Sequence, residues 1–342
     1  MSHTRWMTAV LAGALAIGLL AAPGLAAARP VAETGAKQEC VQGPVAAQRF
    51  NARTAMIEAA DTYAKSGPAH IISATALYNV VLTKDASYQI VDVRSAAHFA
   101  LGHIDGAINI PFQTIADDAS LAKLDPAKKI VVVCYTGETS SMTTIVWGML
   151  GYDTRALLFG MSGWVADKAI VGLDIPSGAA AGYPTTNVPT LTTRTYCAPR
   201  LEGRYASGAS AIKGQTKAYF AKGLAPVMTA TQVQAVVASK DPRYQIISVR
   251  ETADYATGHI DGAVNLVWSD LANQLNKLDS EKTTIVYCYT GNLGGEDAML
   301  LNLMGYEAYN MMSGMSSWNA DPALGGVIGF NPANAFNYYT VK

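Results

Sequence analysis

Hydrophobic positions along the chain fall into two alternating kinds of run. Short β-branched stretches, Ile90 to Val93 and Ile130 to Val133, are of the kind that fill buried parallel strands. Polar or glycine residues follow, and then apolar residues at helical spacing, as in Met142, Ile145, Val146, Met149 and Leu150. Further on, Ile246 to Val249 and Ile285 to Tyr287 play the strand parts again. This alternation predicts an α/β fold with a largely parallel sheet and right-handed crossovers. A different run opens the chain: His3 and Arg5 lead into an uncharged apolar stretch from Met7 to Ala22, broken by Pro23 and Gly24. It reads as a secretory signal over residues 1–28, with Ala26, Ala27 and Ala28 as the cleavage exit before Arg29. An uncleaved membrane anchor is the competing reading, since the run approaches spanning length. No later stretch has the apolar density of a span.

The pattern also repeats as sequence. Tyr88-Gln-Ile-Val-Asp-Val-Arg94 returns as Tyr244-Gln-Ile-Ile-Ser-Val-Arg250, and Gly102-His-Ile-Asp-Gly-Ala-Ile-Asn109 as Gly258-His-Ile-Asp-Gly-Ala-Val-Asn265. Cys134-Tyr-Thr-Gly137 returns as Cys288-Tyr-Thr-Gly291. Gly160-Met-Ser-Gly-Trp164 returns as Gly314-Met-Ser-Ser-Trp318. A tandem duplication follows, with one domain over residues 29–171, a Gly-, Ala-, Pro- and Thr-rich linker over 172–193 and a second domain over 194–342.

Composition narrows the function. Lys plus Arg number 25 against 26 Asp plus Glu, a net charge of -1, which leaves no basic footprint for a nucleic acid. The four cysteines, Cys40, Cys134, Cys197 and Cys288, form no CxxC pair, and the five histidines form no HxxxH pair. A structural or catalytic metal site is therefore not expected. Cys40 and Cys197 precede the two domains at equivalent places. They could form a disulfide joining the copies, stand as free thiols, or act as resolving thiols; export favours the disulfide.

Cys134 and Cys288 each end a predicted strand, with a glycine three residues on and a helix after it. The carboxyl ends of parallel strands are where α/β sheets bind ligands. A tight turn there points backbone N–H groups inward and the next helix adds its positive end. Such a cradle holds an anion, and it is expected to lower the thiol pKa and favour the thiolate. The bland alternative, an inert core cysteine, is weakened by the repetition of Cys-Tyr-Thr-Gly among diverged neighbours.

In this order, Asp92-Val-Arg94, Gly102 to Ala107, Cys134 to Thr139, Gly151-Tyr152 and Gly160 to Trp164 resemble the rhodanese family of sulfurtransferases, and the second copy matches the same series. The resemblance covers roughly residues 72–170 and 228–320. It implies two tandem domains, each a five-stranded parallel sheet flanked by helices, packed about a pseudo-twofold axis, and a six-residue active loop starting at each Cys. It also implies ping-pong chemistry without a cofactor. The Cys thiolate takes sulfur from a small donor such as thiosulfate, mercaptopyruvate or polysulfide, and passes it to a thiophilic acceptor, which could itself be a protein. Cys134 is expected as the stronger nucleophile and Cys288 as the second. Tyr135, Thr136, Gly137, Glu138 and Thr139, with Tyr289, Thr290, Gly291 and Asn292, are expected to line the substrate sites.

The copies depart from the family differently. Tyr135 and Thr136 stand where thiosulfate-specific loops are basic, which disfavours thiosulfate as natural donor. Leu293 replaces the hydroxyl of Thr139. Asp92 becomes Ser248, and the acidic residue usual four places after the Arg is Asp254 in one copy but His98 in the other. Arg94 and Arg250 are expected as buried ion-pair partners, His103 and His259 as structural, and Trp164 and Trp318 as core. A non-catalytic module that binds a partner or relays sulfur in an envelope system is the alternative function. A cysteine phosphatase would need an Arg closing the loop, and Thr139 and Leu293 stand near that point.

Overall fold

The apolar runs become the central strands of two separate sheets. The computed structural model describes residues 50–67, 70–173, 180–319, 321–324 and 335–342. The expected signal segment 1–28, its cleavage exit and Cys40 lie outside them. No helix among the described residues is long and apolar enough to cross a membrane.

The first sheet holds β1 (Ile71–Ile72), β2 (Tyr88–Asp92), β3 (Ile108–Asn109), β4 (Lys129–Val133) and β5 (Thr154–Leu157), in the spatial order β1-β5-β4-β2-β3. The second holds β6 (Val227–Met228), β7 (Tyr244–Ser248), β8 (Ala263–Asn265), β9 (Thr283–Tyr287) and β10 (Ala308–Met311), ordered β6-β10-β9-β7-β8. Every pairing is parallel. The central strands β4 and β9 are buried on both faces, hence their unbroken apolar character.

Each domain has a helix after its central strand, Glu138–Met149 in the first and Asn292–Leu303 in the second, and these two pack against each other. Both helices are buried almost all round. Met56, Trp147, Val132, Met299, Leu303 and Tyr306 therefore belong to one core continuous across both domains. The outer faces of the sheets keep smaller cores of their own, around Leu77 and Trp164 in the first domain and Val233 and Trp318 in the second.

The ends of the copies are exchanged. Helix Ala52–Lys65 precedes the first sheet, yet Arg53 donates to the Met304 carbonyl at 2.9 Å and Tyr63 to Glu296 at 3.2 Å, both in the second domain. Its counterpart Gly208–Ala221 reaches the first domain, with Lys213 on Asp118 at 2.7 Å and Phe220 edge-on to Phe112. The trailing segments cross as well. Residues of the linker stretch 172–193 cover the second domain: Tyr183 N–H donates to the Trp318 carbonyl at 3.0 Å, and Thr186 bridges His259. The chain end covers the first, where Tyr338 N–H donates to the Trp164 carbonyl at 3.0 Å and Val341 bridges His103. The two sheets thus run over 71–157 and 227–311, and segments that follow one sheet in sequence cover the other.

Candidate functional site

Cys134 and Cys288 follow the last residues of β4 and β9, at the carboxyl edges of the sheets, and both thiols are free. Gly137 and Gly291 start the two buried helices with φ of +108° and +89°, the left-handed region that glycine tolerates. That turn brings the Gly137 N–H to 3.0 Å from Cys134 Sγ and the Gly291 N–H to 3.1 Å from Cys288 Sγ. The Cys134 thiol also reaches Ser140 Oγ at 3.4 Å. Behind each loop runs the repeated Gly-Met-Ser. Met161 N–H donates to the Cys134 carbonyl at 2.8 Å and Met315 N–H to that of Cys288 at 2.9 Å. A Cβ on Gly160 or Gly314 would lie 2.5 Å from that same carbonyl oxygen, so only glycine fits.

The loop side chains are held by protein partners. Tyr135 Oη accepts from Ser95 N–H at 3.1 Å and meets His98 Nδ1 at 2.8 Å. Tyr289 Oη accepts from Glu251 N–H at 3.0 Å and donates to Asp254 Oδ2 at 2.6 Å. The interchange of His98 and Asp254 seen in the sequence is therefore an interchange of the group anchoring the loop tyrosine. Thr136 donates to Glu138 Oε2, and Thr290 to Asn292 Oδ1 at 3.2 Å. Thr139 is half-buried, and Leu293 packs in the shared core. Glu138 and Asn292 reach over the domain boundary: Glu138 Oε1 accepts from Ser313 N–H at 3.1 Å, and Asn292 Nδ2 donates to the Gly137 carbonyl at 3.3 Å and to Ser141 Oγ at 3.1 Å.

Electrostatics corrects one expectation. The Cys288 thiol is pushed up, not down. Burial outweighs the N–H groups of Gly294, Thr290 and Gly291, and Asp297 nearby adds to the rise. A cradle of N–H groups lowers a thiol pKa only where it exceeds the loss of water. Burial also pushes up the carboxyls of Glu138 and Asp297, and that of Glu296 to about 8.

The arginines divide. Arg94 is the ion-pair partner expected, with Nε 3.1 and 3.0 Å from the Asp92 carboxylate oxygens and Nη2 at 2.7 Å. Arg250 is not. It donates to the carbonyls of Leu324 and Gly258, and its Nε has no acceptor among the described residues. The cause is the change of Asp92 to Ser248. Tyr287, in register with Ser248 where Val133 faces Asp92, brings a ring 5.9 Å from the guanidinium, so a cation–π contact replaces the ion pair.

His103 and His259 bond backbone carbonyls, Phe99 at 3.0 Å and Tyr255 at 2.9 Å. Trp164 and Trp318 are fully buried. Cys197 is disulfide-bonded, while Cys40, its expected partner, lies outside the described residues. Sequence reasoning missed Asn310, which donates to the Gly291 carbonyl at 2.8 Å, and Ser313. The signal for Asn310 was Gly294-Gly295 in place of Ser140-Ser141, since a Cβ on Gly294 would lie 2.5 Å from Asn310 Oδ1.

Comparison with known proteins identifies this arrangement. The family model for the rhodanese-like domain matches residues 75–167 and 229–321. The thiosulfate sulfurtransferase GlpE of Shewanella oneidensis is 31% identical over 87 residues, 25% of this chain and 86% of that protein. The thiosulfate sulfurtransferase of Corynebacterium glutamicum is 26% identical over 251 residues, 64% of this chain and 77% of that protein. Among solved structures, a rhodanese-related protein from Thermoplasma volcanium is 23% identical and covers 31% of this chain and 95% of its own, with a TM-score of 0.25.

Proposed function

The chain belongs to the rhodanese family, and from that premise we propose that it is an exported sulfurtransferase that carries sulfane sulfur as a persulfide on Cys134. The observation that carries this reading is the Gly137 N–H, 3.0 Å from Cys134 Sγ, at the start of a helix whose positive end faces the same sulfur. In the first half-reaction the thiolate attacks the outer sulfur of the donor. An S–S bond forms as the donor's bond to that sulfur breaks, and the donor leaves with the electron pair, as sulfite from thiosulfate or pyruvate, after protonation, from mercaptopyruvate. In the second, a thiophilic acceptor attacks the outer persulfide sulfur and the Cys134 thiolate departs. The Gly137 N–H and the helix end stabilise the sulfur anion in both steps. Backbone groups of Tyr135 to Thr139 would line the donor site together with the Thr139 hydroxyl, since the side chains of Tyr135, Thr136 and Glu138 are engaged elsewhere.

Cys288 fits a lesser part. Its thiol is raised by burial, and Thr290, Gly291 and Asn292 around it are buried. The second domain on this reading supports the first more than it turns over, which brings the binding-module alternative inside the same molecule. Export rests on the apolar run Met7 to Ala22, and amino-terminal sequencing of the released protein should begin at Arg29.

The test is the intact mass of the protein with its disulfide kept, after exposure to thiosulfate, mercaptopyruvate or polysulfide. One added sulfur is expected, absent in Cys134→Ser and retained in Cys288→Ser. Folded protein with free thiols that takes sulfur from none of the three would overturn the reading.

A further inference from the structure

Asn292 belongs by sequence to the loop of Cys288. By contact it belongs to the other loop, because its Nδ2 donates to the Gly137 carbonyl and to Ser141 Oγ. Gly137 is the residue whose own N–H faces the Cys134 sulfur. Its carbonyl also accepts from Ser140 Oγ at 2.8 Å and Ser141 Oγ at 2.9 Å, so three side chains fix one peptide, and one of them comes from the opposite domain. A Cβ on Gly137 would lie 2.9 Å from Asn292 Nδ2, which shows how closely the second loop seats on the first. Glu138 returns the contact at Ser313 N–H, next to the Gly314 that backs Cys288, and lies 3.1 Å from where a Cβ of Gly291 would stand. The Gly291 carbonyl, by contrast, is held from within its own domain by Asn310.

We propose that Asn292 is a positioning residue for Cys134, acting across the domain boundary, so that the second domain completes the first domain's sulfur site. The amide holds Gly137 in its left-handed conformation and so keeps its N–H on the sulfur. It touches no reacting atom. The proposal gives the second loop a use that does not need Cys288 to react, and it deepens the sulfurtransferase reading without sharing its test.

Alkylation by iodoacetamide, followed separately at Cys134 and Cys288 by peptide mass across a range of pH, reads the thiols directly. Asn292→Ala should move the Cys134 profile to higher pH and slow its neutral-pH alkylation by about tenfold, the size of one well-placed hydrogen bond. Thr290→Val removes only the bond Asn292 makes within its own loop, and should leave Cys134 unmoved. Hydrogen exchange of the Gly137 amide gives a reading independent of reagent access, and should accelerate in Asn292→Ala. Asn292→Ser, a smaller loss of volume, serves where the alanine variant does not fold. An Asn292 variant that shifts Cys288 alone, or shifts neither thiol and leaves Gly137 exchange unchanged, overturns the proposal. A protein that shows the Cys134 shift but takes no sulfur from any donor sinks the sulfurtransferase reading and leaves the positioning role standing.

Discussion

Single side chains carry much of the difference between the two domains. Arg94 and Arg250 are equally buried, but only Arg94 faces a carboxylate. Asp92→Ser should therefore cost about 3 to 5 kcal/mol, because it strands a buried guanidinium without the tyrosine ring that the second domain supplies. Ser248→Ala should change stability by less than about 1 kcal/mol, and urea denaturation separates the two. Glu296 and His70 approach to 3.9 Å, both buried, yet they do not form a salt bridge near neutral pH. His70 is lowered to about 4 and Glu296 raised to about 8, each by loss of water, so both are neutral between those values. Their effects on stability have opposite signs. The folded chain holds the Glu296 proton that the unfolded chain, with a pKa of 4.5, releases, so stability falls as pH rises from about 4.5 to about 8. The unfolded chain binds the His70 proton first, so stability rises from about pH 4 to 6.5. Between 6.5 and 8 only the carboxyl slope of this pair remains; burial shifts the Glu138 and Asp297 carboxyls in the same direction as Glu296. Thermal melts should show Tm declining over that interval, and Glu296→Gln should make the decline shallower.

At the level of elements, the strand-loop-helix unit around each cysteine was legible from its apolar run, its repeated Cys-Tyr-Thr-Gly and the helical spacing from Met142 onward. Those signals are local, set by burial on both faces and by the glycine turn. Not legible was the destination of Glu138 and Asn292, since nothing in a local pattern says which domain a polar side chain at a helix start will face. The repeated Gly-Met-Ser was visible, but its reason, the closeness of Gly160 and Gly314 to the cysteine carbonyls, exists only in three dimensions. Gly160→Ala and Gly314→Ala should each lose well over about 1 kcal/mol, since the positive φ and the 2.5 Å approach act together. Gly106→Ala makes the control: φ is also positive, at +79°, but nothing lies within 4 Å, so the loss should be smaller. Thermal denaturation of the three variants gives the order.

At the scale of the whole molecule, the duplication and both sheets followed from sequence, while the exchange of ends did not. Sequence repetition reports that two copies are alike, not which copy each terminal segment covers. Because Tyr338 and Val341 bond Trp164 and His103, deleting residues 336–342 should weaken the first domain more than the second. Hydrogen exchange should show the His103 amide losing protection in the truncated chain while the His259 amide, bonded to Thr186, keeps it. The same crossing has a consequence for how the chain is made. Domains ordinarily fold in the order in which they leave the ribosome. Here the first sheet emerges early but waits for part of its cover until residues 336–342 have been made. A nascent chain arrested before residues 336–342 have emerged should stay open to protease at its first domain, and closure of the molecule becomes an event timed by the emergence of that segment.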